Sequence, residues 1–292
     1  MALLSVLLSP AAGQTQAALA EPEAGMPAPV ALTIRRVVPE VQMVFAAKDH
    51  HGRPALGLGA GEIKVLDNGV AASLTSFQAA ASLPLRIGLL LDGSESMRRS
   101  FAAERRAALA FLRGGQRSAS DQIFVMTFAA RERSGEGAVS VPAMGGQTAL
   151  YDSLIGASKM LASVEPACRV LLLFSDGEDN YSRATLAEAI AALQQWNIVV
   201  YSITVHSSRL EYPGDRVLRQ IAAATGGRAF LLSSYARASR VFAGVERELN
   251  GQYVVGFRPV GALARGEFHA VKIVARGAVI RARSGYYVGS DN

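Results

Sequence analysis

The stretch Leu85-Arg86-Ile87-Gly88-Leu89-Leu90-Leu91-Asp92-Gly93-Ser94-Glu95-Ser96 decides the fold class. Leu85 to Leu91 is an apolar run of strand length, and it ends in an Asp-x-Ser-x-Ser signature, Asp92-Gly93-Ser94-Glu95-Ser96. A strand with one wet face alternates polar and apolar residues, whereas a continuous run belongs to a strand covered on both faces. Three more such runs follow, Ile123 to Phe128, Val170 to Phe174 and Ile198 to Val205. Helical periodicity fills the intervals, over Met97 to Arg113, Ala149 to Val164, Thr185 to Trp196, Asp215 to Thr225 and Tyr235 to Asn250. Gly226-Gly227 and Gly251 stand where helix C-caps belong. The alternation over residues 84 to 250 predicts an α/β unit, a doubly wound, Rossmann-like and mostly parallel sheet.

On either side the rhythm changes to strands. Ala31 to Val38, Val41 to Lys48 and Glu62 to Leu66 read as extended, and His50-His51-Gly52-Arg53-Pro54 reads as a turn. Asp67-Asn68-Gly69 favours a tight hairpin, because Asn and Gly both tolerate positive φ, with Ala72 to Phe77 as the returning strand. Beyond Gly251, the segments Gln252 to Phe257, Phe268 to Val274, Val279 to Ala282 and Tyr286-Tyr287-Val288 are again strand-like. The expectation is a smaller all-β domain, sandwich-like, built from flanks 30–80 and 251–289, with the α/β unit as a long insertion. Two separate β appendages are the alternative.

A chain of 292 residues suits one large domain plus a smaller one. The formal charge of +6 could draw an anionic partner, but the arginines are scattered in pairs such as Arg98-Arg99 and Arg105-Arg106, and no aromatic ladder interleaves with them. Nucleic acid is therefore not the expected partner. Cys168 is the only cysteine, which excludes an internal disulfide and a thiolate metal site and leaves the role of a buried strand thiol. Ala2 to Ala12 is a short apolar segment followed by small residues, so residues 1–20 read as a signal peptide and 21–29 as a Pro/Ala/Glu linker. No inner stretch is long and apolar enough to span a bilayer, so the mature chain is expected to be exported, periplasmic or extracellular, without stable membrane insertion.

In open α/β sheets, ligands bind beyond the carboxyl ends of the strands, and the Asp92 signature sits there. Two further oxygen donors occupy equivalent ends: Thr148 in Gly145-Gly146-Gln147-Thr148, before a helix, and Asp176 in Ser175-Asp176-Gly177. Taken singly, a Ser-rich strand-to-helix turn is an N-cap and an Asp-Gly step is a turn. Taken together, three neutral hydroxyls (Ser94, Ser96, Thr148) and two acids (Asp92, Asp176) suit a hard divalent cation such as Mg²⁺, with Mn²⁺ or Ca²⁺ as alternatives. Five oxygen donors, only two of them acids, fall short of an octahedral shell, so that an acidic group of a partner can complete it. Helix N-termini after Ser96 and at Thr148 are expected to add positive potential.

With these residues in place, the chain resembles the von Willebrand factor A family with a complete metal-ion-dependent adhesion site, over roughly residues 84 to 250. In that family the two serines and the threonine bind the metal through their hydroxyls and the aspartates act directly or through water. The resemblance gives those roles to Ser94, Ser96, Thr148, Asp92 and Asp176. The flanks are similar to the VWFA-related domains of Acidobacteria through Lys48-Asp49-x-x-Gly52-Arg53-Pro54, the Asp67-Asn68-Gly69 turn and Arg283-Ser284-Gly285-Tyr286-Tyr287. The implied function is a metal-dependent protein-binding module whose partner presents an acidic residue.

Neighbouring groups have plainer readings. Glu95, Glu178 and Asp179 are expected as solvated rim residues, Asp152 as the carboxylate of a helix start, and Tyr181 as a half-exposed loop tyrosine. His50, His51, His206 and His269 form no His-Glu-x-x-His pair, and Gly93-Ser94-Glu95-Ser96-Met97 ends in Met where a nucleophile elbow needs Gly. The reading is therefore non-enzymatic. A metal-dependent hydrolase or phosphatase using the same pocket, and a structural part of an envelope assembly, are the alternatives.

Overall fold

The computed structural model describes residues 40–114, 118–129, 146–162, 167–206 and 211–288. The leader, the linker and the strand expected over Ala31 to Val38 lie outside these residues, as does Gly145. The chain enters through β1 (Val41–Lys48), makes the hairpin β2 (Ile63–Asp67) and β3 (Val70–Ala72), and continues into β4 (Leu74–Ala79). The hairpin turn holds Asn68 at φ 48° and Gly69 at φ 83°, the positive values that the Asn-Gly step predicts. The single returning strand expected over Ala72 to Phe77 is instead two: β3 pairs with β2, while β4 crosses to another sheet. Alternation alone does not reveal a change of sheet at Ser73.

The α/β rhythm then runs β5 (Leu85–Asp92), α1 (Phe101–Gly114), β6 (Gln122–Phe128), α2 (Leu150–Ala162), β7 (Cys168–Phe174), α3 (Leu186–Gln195), β8 (Val199–Val205), α4 (Pro213–Ala224), β9 (Arg228–Leu232) and α5 (Ala238–Asn250). Strands β6-β5-β7-β8-β9 form one parallel sheet in that order. Its central strands read as unbroken apolar runs because they feed two cores. Ile87, Leu89 and Leu91 face Phe101, Phe111, Phe242 and Leu249 of α1 and α5. Leu90, Leu171 and Leu173 face Leu150, Leu154, Leu193 and Leu218 of α2, α3 and α4. Each such fully buried side chain contributes about 1.5–3 kcal/mol. The fifth strand, β9, fell between two predicted helices and was not expected, although Ala229-Phe230-Leu231-Leu232 is itself an apolar run.

Helix α4 ends in a Schellman arrangement: Gly226 has φ 77°, and the Gly227 N–H reaches Ala222 O at 2.7 Å. Helix α1 begins at Phe101 rather than at the expected Met97. Residues 95–100 are turns that wrap the end of β5, with Met97 buried beneath them.

After α5 come β10 (Gln252–Phe257), β11 (Phe268–Ala275), β12 (Val279–Ala282) and β13 (Gly285–Tyr287). They join the first four strands in two antiparallel sheets, β12-β1-β10-β4 and β13-β11-β2-β3. Both sheets mix strands from the two ends of the chain, and Met43, Phe45, Val255 and Phe257 of one share a core with Val65, Val271 and Ile273 of the other. Val44 and Val254, on the opposite faces of β1 and β10, join the α/β core beside α5. The described residues, from Glu40 onward, belong to one compact unit.

Candidate metal centre

The sheet's carboxyl edge brings together the ends of β5 and β7 and the start of α2. Asp92 is fully buried there. Its Oδ1 accepts the Ser94 N–H at 2.9 Å and its Oδ2 accepts the Ser175 hydroxyl at 2.6 Å. The Ser94 and Ser96 hydroxyl oxygens lie 3.1 Å apart. Ser94 and Thr148 are buried, Asp176 is half-buried and Ser96 is exposed, so the donors grade from floor to rim.

Backbone bonds tie the three loops to one another. The Glu95 N–H donates to Gly146 O at 3.3 Å, and the Thr148 N–H donates to Asn180 Oδ1 at 2.7 Å. The Thr148 carbonyl accepts the N–H groups of Asn180 and Tyr181, both at 3.0 Å. Asp176 turns its Oδ1 toward the Glu178 N–H at 3.1 Å. Asp92, Ser94 and Ser96 are thus joined through direct bonds, and the Thr148 and Asp176 loops are pinned together through Asn180. Among the described residues no group of three or more His, Cys, Asp or Glu gathers into a metal cluster; the candidate set contains only two carboxylates and depends on hydroxyls.

Burial pushes the Asp92 carboxyl up to about 6; hydrogen bonds from Ser175 and Ser94 oppose the rise and the negative charge of Asp176 adds to it. Behind it stands Glu104 of α1, also fully buried, whose Oε1 accepts the Asp92 N–H at 3.2 Å and whose Oε2 makes no hydrogen bond. Burial, and then repulsion from Asp92, raises Glu104 to about 9. Sequence reasoning missed Glu104, Ser175 and Asn180. Glu104 had a signal: it interrupts the apolar face Phe101, Ala108, Phe111 of α1. Ser175 and Asn180 had none, because each acts on a residue distant in the chain.

Other expectations need correction. Asp179 is not simply a solvated rim acid: it accepts the Tyr151 N–H at 3.3 Å and the Ser182 hydroxyl at 2.6 Å. The Asp152 carboxylate accepts the N–H groups of Arg183 and Ala184, while its own N–H donates to Ser182 Oγ. Loop 179–182 therefore caps α2 from a distance. At the start of α2 the N–H groups of Thr148, Tyr151 and Asp152 are engaged by Asn180, Asp179 and Ser182, and α1 begins at Phe101 rather than directly after Ser96.

A His–Asp pair lies at the same edge. His206, just past β8, places Nε2 within 3.1 and 3.2 Å of the two Asp215 oxygens. Asp215 Oδ2 also accepts the Tyr212 N–H at 2.9 Å, so the same carboxylate serves the start of α4.

No family model matches the chain, and no curated protein matches it. Among solved structures it is similar to a von Willebrand factor type A protein from Catenulispora acidiphila, at 14% identity and TM-score 0.48, covering 84% of this chain and 73% of that one. It is similar to proximal thread matrix protein 1 of the mussel byssus, at 19% identity and TM-score 0.46, covering 61% of this chain and 48% of that one. A third is the manganese-loaded TRAP protein of Plasmodium vivax, at 14% identity and TM-score 0.41, with 72% and 97% covered. The chain spans about half the length of the mussel protein.

Proposed function

We propose that the chain is a von Willebrand factor A-type protein-binding module. In this reading Asp92, Ser94, Ser96, Thr148 and Asp176 hold one divalent cation, Mg²⁺ or else Mn²⁺ or Ca²⁺, at the carboxyl edge of the parallel sheet. The donor set fits such an ion: every donor is a hard oxygen, and Asp92 is already oriented by Ser94 and Ser175. When bound, the cation supplies a positive centre with an open position for a carboxylate. This chain's residues fix the floor through Asp92 and leave Ser96 and Asp176 toward solvent, where a Glu or Asp of a partner would arrive. The observation that carries the reading is the linkage of three separate loops around the buried Asp92 carboxylate.

The module is read as non-enzymatic and, from its leader-like residues 1–20, as exported to the periplasm or beyond. No helix among the described residues is long and apolar enough to cross a membrane. The hydrolase alternative requires a free base at the site, and the His206–Asp215 pair is engaged as a helix cap. The test is capture of partners from an envelope extract with magnesium or with chelator, using Asp92→Ala as control. Partners held only with the ion and with intact Asp92 support the reading. Capture indifferent to both, or phosphoester turnover lost in Asp92→Ala, contradicts it.

A further inference from the structure

We infer that Gly214 is a positioning residue for Asp176: the first turn of α4 interlocks with the Asp176-Gly177 turn backbone to backbone, and this contact sets where the Asp176 carboxylate stands. The inference rests on the reading of Asp176 as a cation-holding residue.

The interlock is reciprocal. A Cβ at Gly214 would lie 2.0 Å from the Asp176 carbonyl oxygen and 3.0 Å from the Gly177 carbonyl carbon. A Cβ at Gly177 would lie 2.3 Å from the Gly214 carbonyl oxygen and 2.8 Å from the Leu218 side chain. Gly177 also holds φ at 82°, a value L side chains rarely adopt. Each backbone approaches where the other has no side chain.

Helix α4 is a firm wall for this contact. Pro213 opens it, Asp215 is buried and caps it at Tyr212, and His206 braces Asp215 from the end of β8. Leu218, one turn on, is fully buried in the core shared with α2 and α3. On the other side, the Glu178 N–H fixes the Asp176 carboxylate relative to its own turn. The turn is thus placed by α4 and the side chain is placed by the turn, before any ion arrives. A methyl group at Gly214 forces the two segments apart by roughly 1 Å, the scale of misplacement that costs a positioned group much of its effect.

The test is Mn²⁺ titration by calorimetry, paired with thermal melting, on three chains: wild type, Gly214→Ala and Gly227→Ala. Gly227 is an equally tight site elsewhere, since its Cβ would lie 1.8 Å from Val200 O. Gly214→Ala is expected to bind Mn²⁺ about tenfold or more weakly, and folded Gly227→Ala to bind as wild type despite a lowered melting temperature. Equal affinity in wild type and Gly214→Ala overturns the inference, as does equal weakening in both variants. If wild type takes up no Mn²⁺, the cation reading itself fails instead. Should Gly214→Ala not fold, His206→Ala removes the brace on Asp215 together with the ring contact to Tyr212 at the start of α4: weakening of about two- to fivefold supports the interlock, and unchanged affinity overturns it.

Discussion

Asp92 and Glu104 show how one buried carboxyl shapes another. Asp92 was legible because its signature is local, five residues at the end of an apolar run. Glu104 could be read only as a misfit on an apolar helix face, since its partner is a backbone N–H on another element. Held up at about 9 by burial, Glu104 keeps a proton in the folded state that it loses near 4.5 when unfolded. Stability from this group is greatest below the unfolded value and falls as pH rises through about 9. Glu104→Gln should flatten that decline, so melting temperatures of chelator-treated wild type and variant should diverge increasingly between pH 5 and pH 9 (about the two limiting pKa values). Parallel curves would contradict the assignment. Cys168 gives a simpler case: burial pushes its thiol up to about 12, and its Sγ faces Gln252 Oε1 at 3.7 Å. It should resist a water-soluble thiol reagent in the native protein and react fully once unfolded.

At the scale of elements, the strands that feed two cores and the helices between them were legible because their periodicities differ. The capping of α2 was not, because its donors are satisfied by Asn180, Asp179 and Ser182, about 30 residues further along the chain. Likewise β9 is short and lies at a sheet edge, and the split into β3 and β4 is set by pairing partners rather than by pattern. Asn180→Ala removes the acceptor for the Thr148 N–H and should cost about 1 kcal/mol in denaturant unfolding. The same variant should weaken divalent binding, because Thr148 is placed through that bond. Normal ion affinity in a destabilised Asn180→Ala would separate the cap from the site.

The whole molecule is tied together by a buried junction at Glu248 of α5. Its carboxylate takes the Tyr201 hydroxyl at 2.6 Å and Lys48 at 3.1 Å, and it pairs with Arg281. Those partners come from the parallel sheet, β1 and β12, so one side chain joins the α/β core to strands from both ends of the chain. Burial alone would raise Glu248, but Arg281, Tyr201 and Lys48 outweigh it and hold the group below its ordinary value. Its contribution is therefore present above the unfolded pKa and lost as pH falls through the lower folded one. Glu248→Ala leaves the Tyr201 hydroxyl and two part-exposed cations without their partner and should cost about 1–3 kcal/mol. The loss should appear in one cooperative transition, followed equally by Trp196 fluorescence and by far-ultraviolet dichroism; two separate transitions would show that the flanking sheets fold apart. That both flanks are strand-rich was readable from their patterns, but those patterns left one shared β body and two separate appendages both open; the junction was not readable either, since Glu248, Lys48 and Arg281 look like ordinary surface charges in sequence. The most direct test of the account is a calorimetric magnesium titration of the native chain beside Asp92→Ala. One ion per chain, abolished by the substitution, is the predicted result; no uptake by the native chain, or uptake unchanged in Asp92→Ala, would contradict it.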